Sequence, residues 1–216
     1  MQTLTELILS SPYRDRVINE QQMARLTGGS SQRRYGLVNR AIRAGELIRG
    51  QRGLYFLPDN LRTVPLHPFH LAQALRPGSH ISLETALAWH GWIPESVYET
   101  ASVKRGGRSR TLELPEFGRF SFTPIATHAL YHLTAVERLQ LQGQTALIAR
   151  PARALLDLVC SRRLTWQGMD WFVESLRISP DNLQTITAKT LKTLRPVYKH
   201  KRMQEFIDAF MKQEPR

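Results

Sequence analysis

Residues 19–47 read NEQQMARLTGGSSQRRYGLVNRAIRAGEL and predict two helices separated by a short turn. Asn19, with Gln22 three residues later, has the pattern of a capping box, in which each side chain accepts a backbone hydrogen bond at the start of a helix. The first helix should end at Gly28-Gly29, because glycine readily takes the left-handed conformation that closes a helix. The second helix should follow almost at once.

The second helix is predicted to begin at Ser30 or Ser31, since serine is a preferred N-cap residue, and to end at Gly45. At 100° per residue its side chains separate into two stripes. The predicted core stripe contains Tyr35, Val38, Ala41, Ile42 and Gly45. The opposite stripe is rich in hydrogen-bond donors and contains Gln32, Arg33, Gly36, Arg40 and Arg43. Arg34 is predicted to point back toward the packing side.

Two helices joined by a glycine-containing turn have the outline of a helix-turn-helix, whose second helix contacts bases mainly through its N-terminal turn. Glycine at position 36 weakens a helix by about 1 kcal/mol relative to alanine, but it would allow the backbone to approach a groove wall. The predicted DNA-binding residues on this helix are Ser31, Gln32, Arg33, Arg34, Gly36, Arg40 and Arg43. The alternative is an ordinary solvated face.

A β-hairpin is predicted directly after the helix, from the sequence ELIRGQRGLYFLPDN at 46–60. The Gly-Gln-Arg-Gly stretch at 50–53 would form the turn, with Arg49 and Arg52 at its tip. Three helices followed by a hairpin make a winged helix, in which the tip arginines would contact the flanking phosphates or the minor groove. A plain surface hairpin is the alternative, although it does not account for arginines on both sides of the turn.

The charge of the chain favours a polyanionic partner. Its 216 residues carry a net charge of +12, and residues 1–63 contain ten arginines, no lysine and five acidic residues. Arginine makes bidentate contacts with guanine and phosphate, so this bias indicates recognition, with a lineage-wide preference for arginine as the alternative. The absence of a long apolar run or an export signal leads us to expect a cytoplasmic protein that does not insert into membranes. The one cysteine, Cys160, is expected to be a buried, inert thiol.

A second domain is predicted after the proline-containing linker at 58–68, which gives domains at 1–63 and 64–216. Helices are expected at 69–75, after Ser82, after Pro151, from Ser179-Pro180 and from about Lys201, and strands at 97–103, 111–114 and 119–123. The loop KRGGRSR at 104–110 is a second candidate polyanion or partner surface. Its basic residues are Lys104, Arg105, Arg108 and Arg110.

Known catalytic patterns are not found, and we predict neither catalytic residues, a cofactor nor a metal site. The sequence contains no CxxC pair, HExxH, GxSxG, Walker loop or dinucleotide-binding fingerprint. His128 and His132 have the i, i+4 spacing of two helical metal ligands, but no third ligand is evident nearby. His90 is interpreted as a helix cap. Glu113 and Glu116 lack the acid and lysine pattern that a magnesium-dependent nuclease would need.

Two blocks of the second domain resemble a known family. The stretch ISLETALAWHGWIPE at 81–95 and the later RPARALLDLV at 150–159 are similar to recurrent blocks of the AbiEi-type antitoxins of bacterial type IV toxin-antitoxin and phage-defence systems. The RGLYFLP stretch, with Gly53 and Tyr55, also resembles the end of the wing in that family. The resemblance covers roughly residues 1–160, and the helical tail beyond about Arg163 lies outside it.

The resemblance implies a transcriptional repressor that binds inverted repeats of double-stranded DNA upstream of its own operon. It also implies an antitoxin domain that counters a nucleotidyltransferase toxin without requiring direct contact with it. The expected fold is α+β, with an N-terminal winged helix-turn-helix, a mixed α/β antitoxin-like domain and a helical C-terminal region. A solitary winged-helix regulator, a nuclease targeted by the winged helix, and an RNA-binding or structural module remain as alternatives.

Overall fold

The computed structural model describes residues 2–95 and 97–213 and shows a mixed α+β protein. Ten α-helices and nine β-strands in these residues are arranged with two sheets. The chain forms two compact units. The N-terminal unit comprises the residues up to Pro77 together with Gln140–Thr145, and the C-terminal unit comprises Gly78–Leu139 and the residues from Ala146 onward.

The N-terminal unit is built from short helices around a small antiparallel sheet. Its helices are α1 (Leu4–Leu9), α2 (Glu20–Thr27), α3 (Ser31–Arg43) and α4 (Pro68–Leu75), and its strands are β1 (Ile18–Asn19), β2 (Ile48–Gln51) and β3 (Leu54–Phe56). The strand order is β1-β3-β2. The predicted capping box is confirmed, because Asn19 Oδ1 accepts from the Gln22 amide and Gln22 Oε1 accepts from the Asn19 amide, each at 2.9 Å. α2 ends at Gly28, as predicted, but with φ of 58° and ψ of −171° this glycine has an extended conformation with positive φ and not the predicted left-handed helical one.

The core face of α3 differs from the prediction by part of a turn. Ser30 is the N-cap, and its hydroxyl accepts a hydrogen bond from the Arg33 amide. Val38 and Ala41 are buried as expected, but Tyr35 is 68% exposed, and Leu37, which the prediction left out, is buried. Leu37 belongs to the cluster that also contains Leu4, Ile8 and Met23. The assignment of Tyr35 to the core was therefore wrong: burying Leu37 beside Val38 and Ala41 turns its ring toward solvent, where its hydroxyl can remain hydrated.

The predicted hairpin is present, but its turn is shorter than expected. Gly50 and Gln51 belong to β2, so the turn consists of Arg52 and Gly53, with φ of 76° at Gly53. Arg49 is consequently not at the tip; it pairs with Tyr55 within the sheet. The two-residue strand β1, which the sequence analysis did not predict, pairs with β3 on its other edge. Pairing with β1 and β2 therefore holds both edges of β3.

A segment from the middle of the sequence belongs to the N-terminal unit. The buried side chain of Gln144 donates from Nε2 to the Pro65 carbonyl at 2.7 Å, and its Oε1 accepts from the His67 amide at 2.9 Å. His70 Nδ1 lies 2.9 Å from the carbonyl oxygen of Thr145. The backbone of the predicted linker is thus fixed at Pro65 and His67 by the side chain of Gln144, which follows them by more than 70 positions.

The C-terminal unit is organised around a mixed sheet. The strands are β4 (His80–Ile81), β5 (Glu99–Arg105), β6 (Arg110–Leu114), β7 (Gly118–Ile125), β8 (Val136–Leu141) and β9 (Gln144–Ala149). Their order is β6-β7-β5-β4-β9-β8, and the end of β8 and the start of β9 are the parts of this sheet within Gln140–Thr145 of the N-terminal unit. Strand β5 runs parallel to β7, and β4 runs parallel to β9, whereas β6-β7 and β4-β5 are antiparallel. The strands predicted at 97–103, 111–114 and 119–123 correspond to β5, β6 and β7.

Six helices complete the C-terminal unit: α5 (Leu83–Trp89), α6 (Pro151–Ser161), α7 (Asp170–Leu176), α8 (Pro180–Gln184), α9 (Ala188–Leu194) and α10 (Lys201–Lys212). The single helix expected from Ser179-Pro180 is divided in two, because the hydroxyl of Thr187 caps a new helix through the Thr190 amide. The helix predicted from Lys201 buries its expected apolar stripe, including Phe206 and Phe210. None of the helices in the described part of the chain combines the length and apolar composition needed to cross a membrane.

Candidate nucleic-acid interface

An open groove lies between the N-terminal half of α3 and the β2-β3 hairpin. Its polar and aromatic lining includes Ser31, Gln32, Arg34, Tyr35, Arg49, Arg52 and Tyr55. Five of these residues are among the nine predicted DNA contacts, so folding brings this part of the predicted set to one concave surface. The lining does not include the other four, Arg33, Gly36, Arg40 and Arg43. Tyr35 is added to the surface by the rotation of the α3 core face. Glu20, from the start of α2, is the acidic residue of the lining.

Arg33 and Arg34 have different roles despite being neighbours. Arg33 is exposed, but its Nη1 donates at 2.9 Å to the carbonyl of Thr27 at the end of α2, and thereby ties the inter-helix turn to α3. Arg34 is half-buried and donates from Nε at 2.8 Å to Glu20 Oε1. The expectation that Arg34 points back toward the packing side is therefore confirmed. Its charge is already partly compensated within the protein.

Arg40 and Arg43, the remaining arginines of α3, are less constrained than Arg33 and Arg34. Arg40 and Arg43 are exposed, and in the described residues no hydrogen bond or ion pair occupies either guanidinium. The exposed side-chain amide of Gln32 also has no hydrogen-bond partner among the described residues. Gly36 is half-buried rather than open, because the Arg40 side chain passes over it and would lie 3.5 Å from an added Cβ. The side chains of Gln32, Arg40 and Arg43 are therefore free to contact a ligand.

Arg49 and Arg52 occupy different parts of the hairpin. Arg49 is held in place, with Nη2 donating at 3.2 Å to Asn39 Oδ1 of α3 and its guanidinium 5.8 Å from the centre of the Tyr55 ring. A cation over an aromatic face is stabilised by the ring quadrupole. Arg52 is exposed in the turn itself. The hairpin thus presents one oriented arginine beside α3 and one unconstrained arginine at its tip.

The second predicted basic surface is smaller than expected. Lys104 is only 7% exposed, since it lies on β5 and its ammonium donates back to the carbonyl of Gly106. Its inclusion in an exposed basic loop was therefore wrong. Arg105, Arg108 and Arg110 are exposed, as predicted.

A buried polar network at the centre of the C-terminal unit was not predicted. The carboxylate of Asp157 accepts hydrogen bonds from Arg153 Nε at 2.8 Å, Ser82 Oγ at 2.7 Å and Tyr198 Oη at 2.8 Å, and it lies 3.3 Å from His80 Nε2. All five side chains are fully buried. Arg153 Nη1 also donates to the carbonyls of His132 and Thr134, each at 3.0 Å. One carboxylate therefore joins β4, the start of α5, α6 and the segment before α10.

The charges in this network stabilise one another. Burial would raise the pKa of Asp157, but the Arg153 guanidinium and the His80 hydrogen bond outweigh it and hold the pKa far below its usual value. Burial lowers the pKa of His80, against the opposing effect of Asp157, and burial raises the pKa of Tyr198 well above its usual value. The network thus contains an ionised Asp157 and Arg153 with a neutral His80 and Tyr198.

His128 and His132, the two histidines with the spacing of metal ligands, have different surroundings. His132 is buried, with Nε2 donating to the Gly78 carbonyl at 3.2 Å and Nδ1 accepting from Thr127 Oγ1 at 3.1 Å, whereas His128 is exposed and precedes a single 3-10 turn. The described residues contain no group of three or more side chains suited to hold a metal ion. His90 ends α5, as predicted. Burial raises the pKa of the Cys160 thiol to about 11, and its predicted burial is confirmed.

One sequence signal could have indicated the buried network. Arg153 and Asp157 are four residues apart in the otherwise apolar stretch ARALLDLVC, so both charges lie on a helix face that must be buried. Their partners could not be inferred, because Ser82 and Tyr198 lie 75 and 41 positions from Asp157. The network joins the two blocks on which the family resemblance rests.

No protein-family model matches the chain, and no curated protein is significantly similar to it.

Proposed function

We propose that this protein is a DNA-binding transcriptional repressor and antitoxin of a type IV toxin-antitoxin system, similar to the AbiEi-type family. In this proposal the N-terminal unit is a winged helix-turn-helix: α2 and α3 are the two helices of the motif, α3 is the recognition helix, and the β2-β3 hairpin is the wing. The main support for this proposal is the groove that arginines of the hairpin and polar residues at the N-terminus of α3 line together.

The chemistry of this surface suits double-stranded DNA. A major groove admits one α-helix, and the first turns of a recognition helix commonly supply the base contacts. Gln32, Arg40 and Arg43 are exposed donors on α3, and Arg49 and Arg52 line the groove from the hairpin. In the proposal these two hairpin arginines neutralise adjacent phosphates. The tie between Arg33 and Thr27 limits the freedom of the turn between the two helices. We therefore assign base contacts to α3 and phosphate contacts mainly to the hairpin.

The antitoxin role rests on the resemblance of 81–95 and 150–159 to the family blocks. The buried network gives these blocks a shared structural purpose, since Ser82 of the first and Asp157 of the second are hydrogen-bonded at 2.7 Å. In the proposal the C-terminal unit counters a nucleotidyltransferase toxin in the cytoplasm. Co-expression with a nucleotidyltransferase encoded beside the gene should then restore growth, and growth arrest despite stable accumulation of this protein would contradict the antitoxin role.

Gel-shift titrations test DNA binding. The full-length protein should bind DNA from upstream of its own gene more tightly than unrelated DNA of the same length, with an affinity that falls as salt rises. Arg52→Ala should weaken binding to both DNAs and reduce the salt slope by about 1, because a phosphate contact is lost. Equal affinity for both DNAs, together with no effect of Arg52→Ala, would contradict the proposal.

A further inference from the structure

A cleft in the C-terminal unit has an excess of positive charge on one side. It encloses about 500 Å³ beside the start of α10. Its basic side is formed by Arg163, His200, Lys201 and Arg202. The facing wall, around Pro124 to Ala126 at the end of β7, is largely apolar. We call this cavity the α10 cleft.

The cationic side chains of the α10 cleft are not balanced by acids. Its lining contains neither aspartate nor glutamate, and in the described residues no carboxylate lies within 4 Å of the Arg163 or Arg202 guanidinium. Lys201 has an ion pair with Glu205 at 3.5 Å, but both side chains are largely exposed, and such pairs contribute little. The cleft therefore concentrates positive potential that the protein itself leaves unneutralised.

Arg202 is held in a fixed position at the cleft. Its Nη1 donates to the Leu164 carbonyl, and its Nη2 donates at 3.2 Å to the Cys160 carbonyl. These bonds orient the half-buried guanidinium, but carbonyls do not cancel its charge. A fixed cation in the lining of a cavity favours an anion that can accept hydrogen bonds from it.

The backbone at the same place also favours an anion. Helix α10 begins at Lys201 without a side-chain hydrogen bond from its N-cap, His200, and its first turn contains no acidic residue. The first amides of a helix lack intrahelical acceptors, and the helix dipole is positive at this end. The Met203 amide donates to the His200 carbonyl at 2.9 Å, so the Lys201 and Arg202 amides are the ones that remain for an acceptor outside the helix. Both residues belong to the lining of the cleft, beside its cationic side chains.

We propose that the α10 cleft binds a nucleotide, with its phosphates against Arg163, Lys201 and the start of α10. Phosphate is the anion that matches both the guanidinium groups and a helix N-terminus. The volume is in the range of small-molecule sites, and the apolar wall at Pro124–Ala126 provides a surface for the sugar and base. This site is in the C-terminal unit, whereas the proposed DNA contacts are in the N-terminal unit.

The test is a fluorescence titration of the full-length protein with the methylanthraniloyl derivative of ATP. Binding should saturate, unlabelled ATP should compete, and adenosine at the same concentration should not. The double variant Arg163→Gln/Lys201→Gln should weaken binding at least about tenfold, since it removes two charged hydrogen-bond donors. Arg202 is left intact because its carbonyl bonds connect α10 to the end of α6.

The matched control is Arg138→Gln/Lys192→Gln, which removes the same charge from exposed residues outside the lining. This control should leave the affinity for the nucleotide unchanged. Arg52→Ala in the proposed wing should also leave it unchanged, so failure of nucleotide binding can be told apart from failure of DNA binding. Thermal melts establish that each variant is folded. No saturable binding by the unmodified protein, equal weakening by the two double variants, or equal competition by adenosine would overturn the proposal.

Discussion

The two units use charged side chains in opposite ways. In the C-terminal unit, the Asp157 network is completely buried, and its carboxylate receives three hydrogen bonds of 2.7–2.8 Å. In the N-terminal unit, Arg40, Arg43 and Arg52 are exposed and remain without an acidic partner in the described residues. Charges that are satisfied internally specify the fold, whereas charges left unsatisfied at a surface are available to a ligand. Variants in both regions can test this distinction.

The largest effect should come from Asp157→Asn. The substitution removes the charge that compensates Arg153 in a fully buried site, which should lower the free energy of unfolding by about 3–5 kcal/mol. Urea denaturation followed by tryptophan fluorescence would measure it, because all four tryptophans lie in the C-terminal unit. Exposed Glu174→Gln serves as the charge-matched control. If the cost comes from an unpaired cation, Arg153→Met/Asp157→Leu should be more stable than Asp157→Asn; lower stability of the double variant would contradict this explanation.

The next effect should come from Tyr198→Phe. Loss of its 2.8 Å hydrogen bond to Asp157 should lower the free energy of unfolding by about 1.5–3 kcal/mol, the usual range for a bond to a charged group. The ring itself remains to pack. The exposed Tyr98→Phe is the matched control in the same unit and should have almost no effect in the same denaturation experiment.

The effect of Arg40→Ala should appear in DNA binding rather than stability. We expect a loss of about 1–3 kcal/mol at the operator, with relaxed preference for one base pair, because Arg40 is assigned to a base edge. Arg33→Ala should have a similar effect on affinity, but it should also destabilise the N-terminal unit by removing the bond to Thr27. Arg16→Ala is the control in the same unit. If Arg16→Ala weakens operator binding as much as Arg40→Ala, the assignment of α3 as the recognition helix is wrong.

The buried network should also make stability depend on pH. Burial lowers the pKa of His80 in the folded protein, so the unfolded chain takes up a proton first as the pH falls below about 6.5. Stability should therefore fall as the pH is lowered below about 6.5. The depressed pKa of Asp157 acts in the same direction below about pH 4. Urea denaturation at several pH values should give a smaller slope for His80→Asn, and an unchanged slope would show that His80 is not the source.

The smallest effect should come from Glu20→Gln. This variant removes the acid from the groove and releases Arg34 from its ion pair, so affinity for DNA should rise by less than about 1 kcal/mol. Glu116→Gln makes the same change of charge in the C-terminal unit and should leave the affinity for DNA unchanged. Weaker DNA binding by Glu20→Gln would mean that the Glu20–Arg34 pair orients Arg34 for contact instead of competing for it.

Local signals predicted much of the fold. The capping box of α2, the serine cap of α3, Pro151 at the start of α6 and the apolar stripe of α10 each depend on residues a few positions apart, and all were readable from the sequence. The β2-β3 hairpin was predicted for the same reason. Most of the residues lining the groove followed from these elements.

The remainder depended on contacts between distant residues. Tyr35 and Leu37 are both apolar enough to face a core, and only packing against Leu4 and Met23 decides between them. The short strand β1 is defined by pairing with Leu54 and Tyr55, more than 30 residues away. Asp157 obtains its partners from three separate segments. No local pattern carries this information.

The bonds made by Gln144 define how the protein can be divided. The amide of this one side chain supplies both a donor and an acceptor to the backbone around Pro65 and His67. A fragment that stops at Pro77 would lack the strand end that satisfies these groups, and its last helix would follow an untethered segment. We expect fragments of the N-terminal unit to retain helices α1 to α3 but to lose a fixed α4. Reporter fusions or deletion libraries designed on a simple N-terminal boundary would consequently separate pieces that the folded chain holds as one.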